Sequence, residues 1–243
     1  MKRIIALTIG CGLLLASSCI RNTEAQTASA GSVDSTFSPG GKLNAQFFGD
    51  YYYKIHADSA NRGVGQYSGV PKNFQNYQIR RVYLGYNYDI SKTFTTEFLL
   101  AYEEGSGAST TLDVAGERSF YLKLANIRWK NIFSNADLIF GAQHTPTFVY
   151  SSEKIWGYRS VEKTLLDKNK IASSTDLGLA LQGAFDEERN FGYDLLYANG
   201  TAQKLPTITQ RDKKLYGDLW AKFMDKKIVV QAYGDVTQTQ DNP

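Results

Sequence analysis

The sequence is short of residues that cross-link or interrupt a fold. Of its 243 residues, two are cysteines, two are histidines and five are prolines. Both cysteines, Cys11 and Cys19, lie in the first twenty residues, so a disulfide framework is not expected to stabilise the rest of the chain. No zinc or calcium ligand spacing occurs, and we expect no metal or cofactor.

Long hydrophobic runs and strong net charge are also missing. After residue 30, no apolar run approaches the length of about 18 residues that a transmembrane helix requires. The formal net charge is +3, and no cluster of Lys and Arg occurs. A charge this small does not indicate a nucleic-acid partner. The length fits one large domain or two small ones.

The N-terminus has the pattern of an export signal. Lys2 and Arg3 precede an apolar stretch over residues 4–16, and small residues follow. This pattern predicts a secretory signal peptide over residues 1–25, with cleavage after Ala25 or as late as Ala30. The alternative is lipoprotein processing at Cys19, which would anchor the mature chain to a membrane. Residues 31–41 are then expected to form a periplasmic N-terminal segment.

Aromatic residues are abundant, with 16 Tyr and 13 Phe, and they alternate with polar residues. In LNAQFFGDYYYKI, residues 43–55, Leu43, Phe47 and Tyr51 share one parity, whereas Asn44 and Asp50 share the other. Strict alternation predicts a strand with one apolar and one wet face. The run is longer than the usual five or six residues of a soluble strand. About nine segments repeat the pattern. The expected wet set is Asn44, Gln46, Asp50, Lys54, Arg81, Glu97, Asp137, Asp194 and Gln231.

Four positions need separate interpretation. Residues 214–223 do not show which parity is apolar, because Leu215 and Leu219 compete with Tyr216 and Trp220. A change of phase near Lys123 suggests a β-bulge. Arg80 has the apolar parity, which predicts a place near a membrane interface. Glu103 and Glu104 read as a solvated loop entry.

The connections between the expected strands alternate in length. Residues 56–76, 103–118, 144–175 and 199–211 form long connections, and short turns lie between them. Alternation of this kind is typical of a transmembrane antiparallel β-barrel with short periplasmic turns and long extracellular loops. The fold prediction is therefore all-β, with residues 42–243 forming part of a barrel in the outer membrane of a Gram-negative bacterium. An odd strand count suggests that the sequence is an N-terminal fragment of a larger barrel.

Three segments resemble a known family. QIRRVYLGYNYDISKTFTTEFLLAYEE, GAQHTP with EKIWGYRSVEKTLLD, and STDLGLALQGAF are similar to the phosphate-selective porin O/P family, in the form found in Bacteroidetes-type genomes. The resemblance spans roughly residues 40–236. It implies a trimeric barrel of about 16 strands whose third loop, residues 144–175, folds inward and narrows the pore. It also implies outer-membrane lipid and small hydrophilic solutes or anions as partners.

The resemblance implies that cations on the third loop and the pore wall contact the passing anion. The matching loop cations are Lys154, Arg159, Lys163, Lys168 and Lys170. The wall cations include Lys54, Arg81 and Arg128, with Lys42 and Lys130. The loop has a single Arg, however, and Lys lacks the bidentate phosphate contact that Arg makes. A water-filled diffusion channel with a mild anion or phosphate preference is the resulting functional prediction.

Two other classes remain open. An outer-membrane barrel enzyme, of lipase or acyltransferase type, would place a His beside a Ser near the outer rim. His56 and His144 are expected there, but no spacing links either to a serine as a catalytic triad requires. A non-conducting structural or adhesive barrel is the third class, and it would fold the third loop outward.

Overall fold

In a computed structural model, residues 37–58, 69–103, 119–146, 156–158, 164, 173–202, 204 and 212–238 are described. They form nine β-strands within one unit, Phe37–Pro243. The strands are β1 (Gly40–Tyr53), β2 (Gln75–Asp89), β3 (Phe94–Glu103), β4 (Tyr121–Phe133), β5 (Ala136–His144), β6 (Thr175–Ala184), β7 (Phe191–Ala198), β8 (Lys213–Phe223) and β9 (Ile228–Gln238).

All nine strands belong to one antiparallel sheet in sequential order, from β1 to β9. The all-β prediction and the expected strand number are confirmed. β1 and β9 are the two edges, so the described sheet is open. Short connections lie at 90–93, 134–135, 185–190 and 224–227, and longer ones lie between them, as expected. Among the described residues, no helix is long and apolar enough to cross a membrane.

The two faces of the sheet differ in burial as well as in chemistry. One face, called the outer face below, carries exposed apolar side chains on every strand; Phe47 is 65% exposed, Phe140 is 62% exposed and Leu219 is 56% exposed. The opposite face, called the polar face, buries charged and amide side chains such as Arg81 and Asp194. Period-two alternation produces both faces, because successive strand side chains point in opposite directions.

Strand β8 shows which of its two parities belongs to each face. Leu215, Leu219 and Phe223 are exposed on the outer face, whereas Tyr216 and Trp220 are buried on the polar face. Register with β7 explains the choice, because Leu219 lies opposite Tyr193 and Tyr216 lies opposite Leu196. Neighbouring strands, which the local sequence does not reveal, therefore set the facing of β8.

Two β-bulges, in β2 and β4, change the face toward which side chains point. Leu99 pairs with Leu124 and Leu100 pairs with Leu122, which leaves Lys123 as the extra residue and confirms the expected phase change. In the same way, Phe48 pairs with Arg81 and Gly49 with Ile79, so Arg80 is the extra residue in β2. The expectation that Arg80 lies on the apolar parity near an interface is wrong, since the bulge turns its side chain toward Asp50 on the polar face.

Neighbouring strands approach each other closely where two glycines are paired. Gly141 of β5 pairs with Gly178 of β6 on the polar face. A Cβ atom on Gly141 would lie 2.2 Å from the carbonyl oxygen of Ala125, and one on Gly178 would lie 2.2 Å from that of Tyr197. Adjacent strands approach too closely there for any side chain, and Gly141 also has a φ of +126°, which glycine adopts readily.

A small apolar cluster lies on the polar face at the centre of β5–β8. It comprises Ile139, Ala180, Leu196, Ala198 and Tyr216, with Tyr233 packed against it. Leu196 has no exposed surface and Tyr216 is 1% exposed. Apolar residues at these few positions separate the charged groups of the polar face into clusters toward each end of the strands.

Candidate functional site on the polar face

The polar face carries the charged and hydrogen-bonding side chains of the candidate site. One cluster of them lies near the long connections of β2, β3 and β4. Glu103 accepts a hydrogen bond from the phenol of Tyr83 and pairs with Lys123 Nζ at 2.5 Å. Lys123 Nζ also lies 5.1 Å from the centre of the Tyr83 ring, a cation–π contact. The lysine is 5% exposed. Glu103 is therefore an ion-pair partner whose side chain is only 14% exposed, and its interpretation as a solvated loop entry is wrong. Glu104 lies outside the described residues.

Arginines of the β2 bulge extend this cluster. Arg80 Nε lies 3.6 Å from Asp50 Oδ2, with the Arg80 side chain 10% exposed. Arg81 is buried and lies opposite Glu103 in the β2–β3 register. The bulge thus places two guanidinium groups on one face, where a regular strand would place one.

A second cluster is built around Arg128 of β4. Its NH1 donates to Asp137 Oδ2 at 2.9 Å, and its NH2 donates to Gln182 Oε1 at 3.0 Å. The planar fork of the guanidinium allows it to bridge β5 and β6 in this way. Because one third of the Arg128 side chain remains exposed, its positive charge is accessible from the solvent on the polar face.

A row of amide and carboxylate groups continues from Gln182 across three more strands. Gln182 Nε2 donates to Asp194 Oδ2 at 3.0 Å, and Gln231 Nε2 donates to Asp218 Oδ2 at 2.8 Å. Asp194 and Asp218 face each other directly in the β7–β8 register, and each is 1% exposed. The row therefore places two carboxylates side by side between two glutamines.

A polar hollow of about 620 Å³ lies beside Arg128, at the short-turn end of β1–β4. Lys42, Glu97, Arg128 and Lys130 contribute to its lining. Lys130 Nζ pairs with Asp89 at 3.1 Å, and Glu97 accepts a hydrogen bond from Asn126 at 3.2 Å. Charges of both signs thus face a space large enough for several water molecules or a small solute.

Charge is divided unevenly between the halves of the polar face. On β1–β4, the basic residues of the face are Lys42, Arg80, Arg81, Lys123, Arg128 and Lys130, and the acidic residues are Asp50, Asp89, Glu97 and Glu103. On β5–β9, the basic residues are Lys214 and Lys222, and the acidic residues are Asp137, Asp176, Asp194, Asp218 and Asp235. The first half is net basic and the second net acidic. Such a division produces an electrostatic field across the face.

The structure brings three of the five predicted wall cations, Lys42, Arg128 and Lys130, to the same hollow, whereas Lys54 and Arg81 lie at other levels of the sheet. Lys54 follows β1, Arg81 lies opposite Phe48, and Arg128 lies at the other end of the strands. At ~3.3 Å per residue, Lys54 is about 20 Å from the level of Phe48 along the strand, and Arg128 is still further in the opposite direction. The predicted loop cations Lys154, Arg159, Lys163, Lys168 and Lys170 lie outside the described residues.

The base of the third loop is closed by hydrogen bonds between its two ends. Thr145 donates from its backbone N–H to the carbonyl of Ser174 at 3.2 Å, and its hydroxyl donates to the carbonyl of Ser173. His144 Nδ1 lies 3.3 Å from the same Ser174 oxygen. Within the loop, Thr164 is 6% exposed. Protein atoms therefore shield Thr164 from solvent.

Sequence reasoning missed several groups of the site. Asp218 and Trp220 share the buried parity of β8, but an apolar run that reads equally well on both parities concealed them. Lys123 was recognised as a phase change and not as an ion-pair partner of Glu103. A bulge brings the two together through long-range register, which has no local signal.

Comparison with family models, with curated proteins and with solved structures finds no match for this chain. In the part of the chain that the structure describes, no group of three or more His, Cys, Asp or Glu side chains is placed to hold a metal ion.

Proposed function

We propose that this chain is an outer-membrane porin whose polar face lines a water-filled passage for small hydrophilic solutes. The observation that carries the proposal is the inverted burial of the sheet. Apolar side chains are exposed on all nine strands, and charged side chains are buried on the opposite face. Soluble monomers rarely expose a contiguous apolar patch larger than a few hundred Å². Membrane hydrocarbon is the solvent that such a surface fits.

Aromatic pairs support a bilayer with two interfaces. On the outer face, Tyr51 and Tyr77 lie 4.9 Å apart toward the long-loop end, and Phe94 and Trp129 lie 5.5 Å apart toward the short-turn end. Transmembrane barrels place aromatic girdles at both interfaces. The strands are 8 to 15 residues long. This range spans the length of about 9–11 residues that a tilted strand needs to cross hydrocarbon.

Open edges define the assembly that the proposal requires. The backbone groups at the free edges of β1 and β9 would have no hydrogen-bond partner in hydrocarbon. Such a sheet is therefore proposed as a sector of a larger closed transmembrane antiparallel β-barrel, of about 16 strands by the resemblance noted above. A homotrimer, exported to the outer membrane by the leader at residues 1–25, belongs to the same proposal.

The third loop, residues 144–175, is proposed to fold over the polar face and constrict the passage. Burial of Thr164 and the closed base formed by His144, Thr145 and Ser174 support a loop that returns toward the protein. Complete burial of Leu196 on the polar face also fits a covered surface. Arg159 and Lys163 would then act together with wall cations such as Arg81 and Arg128.

A mild anion preference is proposed from the basic half of the polar face. Arg81 and Arg128 lie on that half, whereas carboxylates of β5–β9 oppose them. Rings of fixed charge set ion selectivity in pores, but opposite charges in the same wall weaken it. Phosphate would compete with other small anions, because Arg80 and Arg128 are already paired with Asp50 and Asp137.

Single-channel recording of the full-length protein in planar bilayers tests the proposal. We expect stepwise conductance, and a reversal potential in a salt gradient that indicates a modest excess of anion current. A phosphate titration should reduce chloride current. Absence of conductance in correctly folded protein would favour a structural barrel. Lipid hydrolysis that is abolished by His144→Ala would favour the enzyme class.

The loop contribution has its own test. The double variant Arg159→Ala and Lys163→Ala should lower anion preference while the heat-modifiable mobility of the folded barrel stays unchanged. A matched control is Lys226→Ala, which removes one cation from the turn between β8 and β9, remote from the proposed constriction. An unchanged reversal potential in the double variant would remove both residues from the site.

A further inference from the structure

The row Gln182, Asp194, Asp218 and Gln231 contains an electrostatic conflict. Asp194 and Asp218 lie directly opposite each other on adjacent strands, which places their Cβ atoms about 5 Å apart. Both side chains are 1% exposed, so water does not screen them well. Two ionised carboxylates in this position would repel each other and destabilise the seam between β7 and β8.

The hydrogen bonds of the row satisfy only half of each carboxylate. Each Oδ2 atom accepts one bond from a glutamine amide, from Gln182 to Asp194 and from Gln231 to Asp218. Each Oδ1 atom is buried and has no hydrogen-bond partner among the described residues. Buried oxygens without a partner are rare in native proteins, so two of them on directly opposed carboxylates call for an explanation.

Groups on the neighbouring strands offset the charge of the pair only in part, because Arg128 attracts Asp194 electrostatically but donates its hydrogen bonds to other residues. Arg128 of β4 is engaged by Asp137 of β5 and by Gln182 of β6. On β8, Lys222 Nζ lies over the Trp220 ring at 4.4 Å, and Lys214 pairs with Asp235 of β9 at 2.8 Å. In the described part of the chain, neither Asp194 nor Asp218 forms an ion pair.

We propose that Asp194 and Asp218 hold one proton between them, as a carboxylic acid hydrogen-bonded to a carboxylate. The proton sits on Oδ1 of one residue and is donated to Oδ1 of the other, so a single O–H completes both unpartnered oxygens. The pair then carries one negative charge in place of two. A metal ion fits less well, because magnesium and calcium need six or more oxygen ligands, and no group of three ligating side chains occurs among the described residues.

The shared proton makes the charge of the polar face depend on pH, a consequence that rests on the proposed porin function. Loss of the proton in alkaline solution adds one negative charge to the already acidic half formed by β5–β9. The added charge should lower anion preference. Loss of the proton also removes the hydrogen bond between the two strands. Because the two carboxyl groups share the proton, they titrate as one coupled unit.

Infrared spectroscopy of the full-length protein in lipid vesicles tests the proton directly, without any requirement for conductance. With aspartate labelled by ¹³C at the side-chain carboxyl, we expect the carbonyl stretch of one protonated carboxylic acid at neutral pH. The band should disappear in alkaline solution, and it should be lost in Asp194→Asn and in Asp218→Asn. The control Asp235→Asn, which alters a carboxylate bonded to Tyr233 and Lys214, should retain it.

Reversal potentials provide the second arm. Wild-type anion preference should fall as the band disappears, whereas Asp218→Asn should show no fall over the same pH range. A missing acid band at neutral pH would overturn the inference, and a shift of the carboxylate bands on addition of calcium would assign the site to a cation instead. An acid band without conductance would uphold the shared proton and refute the proposed porin.

Discussion

Tyr216 donates a hydrogen bond from its phenol to Oδ2 of Asp176, 2.6 Å away and 40 residues earlier in the chain. The same oxygen accepts the backbone N–H of Gly200 at 2.9 Å, and Oδ1 accepts that of Leu177 at 2.8 Å. One buried carboxylate therefore joins the start of β6, the connection after β7 and the middle of β8. Three donors satisfy the charge, which makes its burial tolerable.

Removal of the phenol should weaken this junction. Tyr216→Phe leaves Asp176 with one donor fewer while its burial persists, so the free energy of unfolding should fall by about 1–3 kcal/mol. The matched control is Tyr233→Phe, since the Tyr233 bond to Asp235 is exposed and its loss should cost under ~1 kcal/mol. Urea titration of both variants in lipid vesicles measures the difference. Equal losses would show that burial of Asp176 does not govern the effect.

A methyl group at Gly141 should disrupt the close approach of β4 and β5. Gly141→Ala brings a Cβ to 2.2 Å from the carbonyl oxygen of Ala125, at a φ of +126°. Alanine at such a position typically costs more than ~1 kcal/mol. Gly234→Ala is the control, because its Cβ would meet nothing within 4 Å. We expect a lower urea midpoint for the first variant and little change for the second, and the opposite order would contradict the argument from close approach of the strands.

Neutralisation of Arg128 should change selectivity more than stability. In Arg128→Ala, Asp137 loses its partner at 2.9 Å, and the polar face becomes more negative by one charge. Reversal potentials should then move toward cations, whereas the partly exposed pair should contribute only about 1 kcal/mol to stability. The double variant Arg128→Ala and Asp137→Ala restores the net charge and should return selectivity toward the wild-type value. Failure of the second change to compensate would separate Arg128 from the pore wall.

The turn between β6 and β7 should show acid dependence. Hydrogen bonds from the backbone N–H groups of Phe191 and Asn190 lower the pKa of Asp186. A lowered folded-state pKa means that the stabilisation is present above the unfolded value of about 3.9 and is lost as pH falls through the folded value. NMR shifts of the two amide protons should titrate with a midpoint below 3.9. Asp186→Asn should abolish this transition, whereas Glu187→Gln should leave it; a midpoint above the unfolded value would contradict the assignment.

Much of the fold could be predicted because period-two alternation is local. The spacing of Leu43, Phe47 and Tyr51 shows within a few residues that they share one face. The alternation of short and long connections follows from strand order. Side chains point alternately up and down in any extended strand, whatever its neighbours do. For that reason the strand number and most side-chain facings were predicted correctly from the pattern alone.

The candidate site could not be predicted to the same depth, because it depends on register between strands. Arg80 was placed on the wrong face, since a single extra residue reverses the facing that parity predicts. The local sequence indicates a loop residue at Glu103, whereas in the structure the bulge places Lys123 beside it. The cations of the third loop lie outside the described residues and stay predictions.

By itself, the sequence determined that this chain forms about nine amphipathic strands in hairpin order, because alternation and turn spacing act over a few residues. Only the tertiary structure decided that Asp194 and Asp218 meet, that Arg128 bridges two strands, and that Tyr216 turns inward. Those relationships join residues far apart in the chain. They exist only when hydrogen-bonded ladders fix which positions lie opposite each other and which of them are shielded from water.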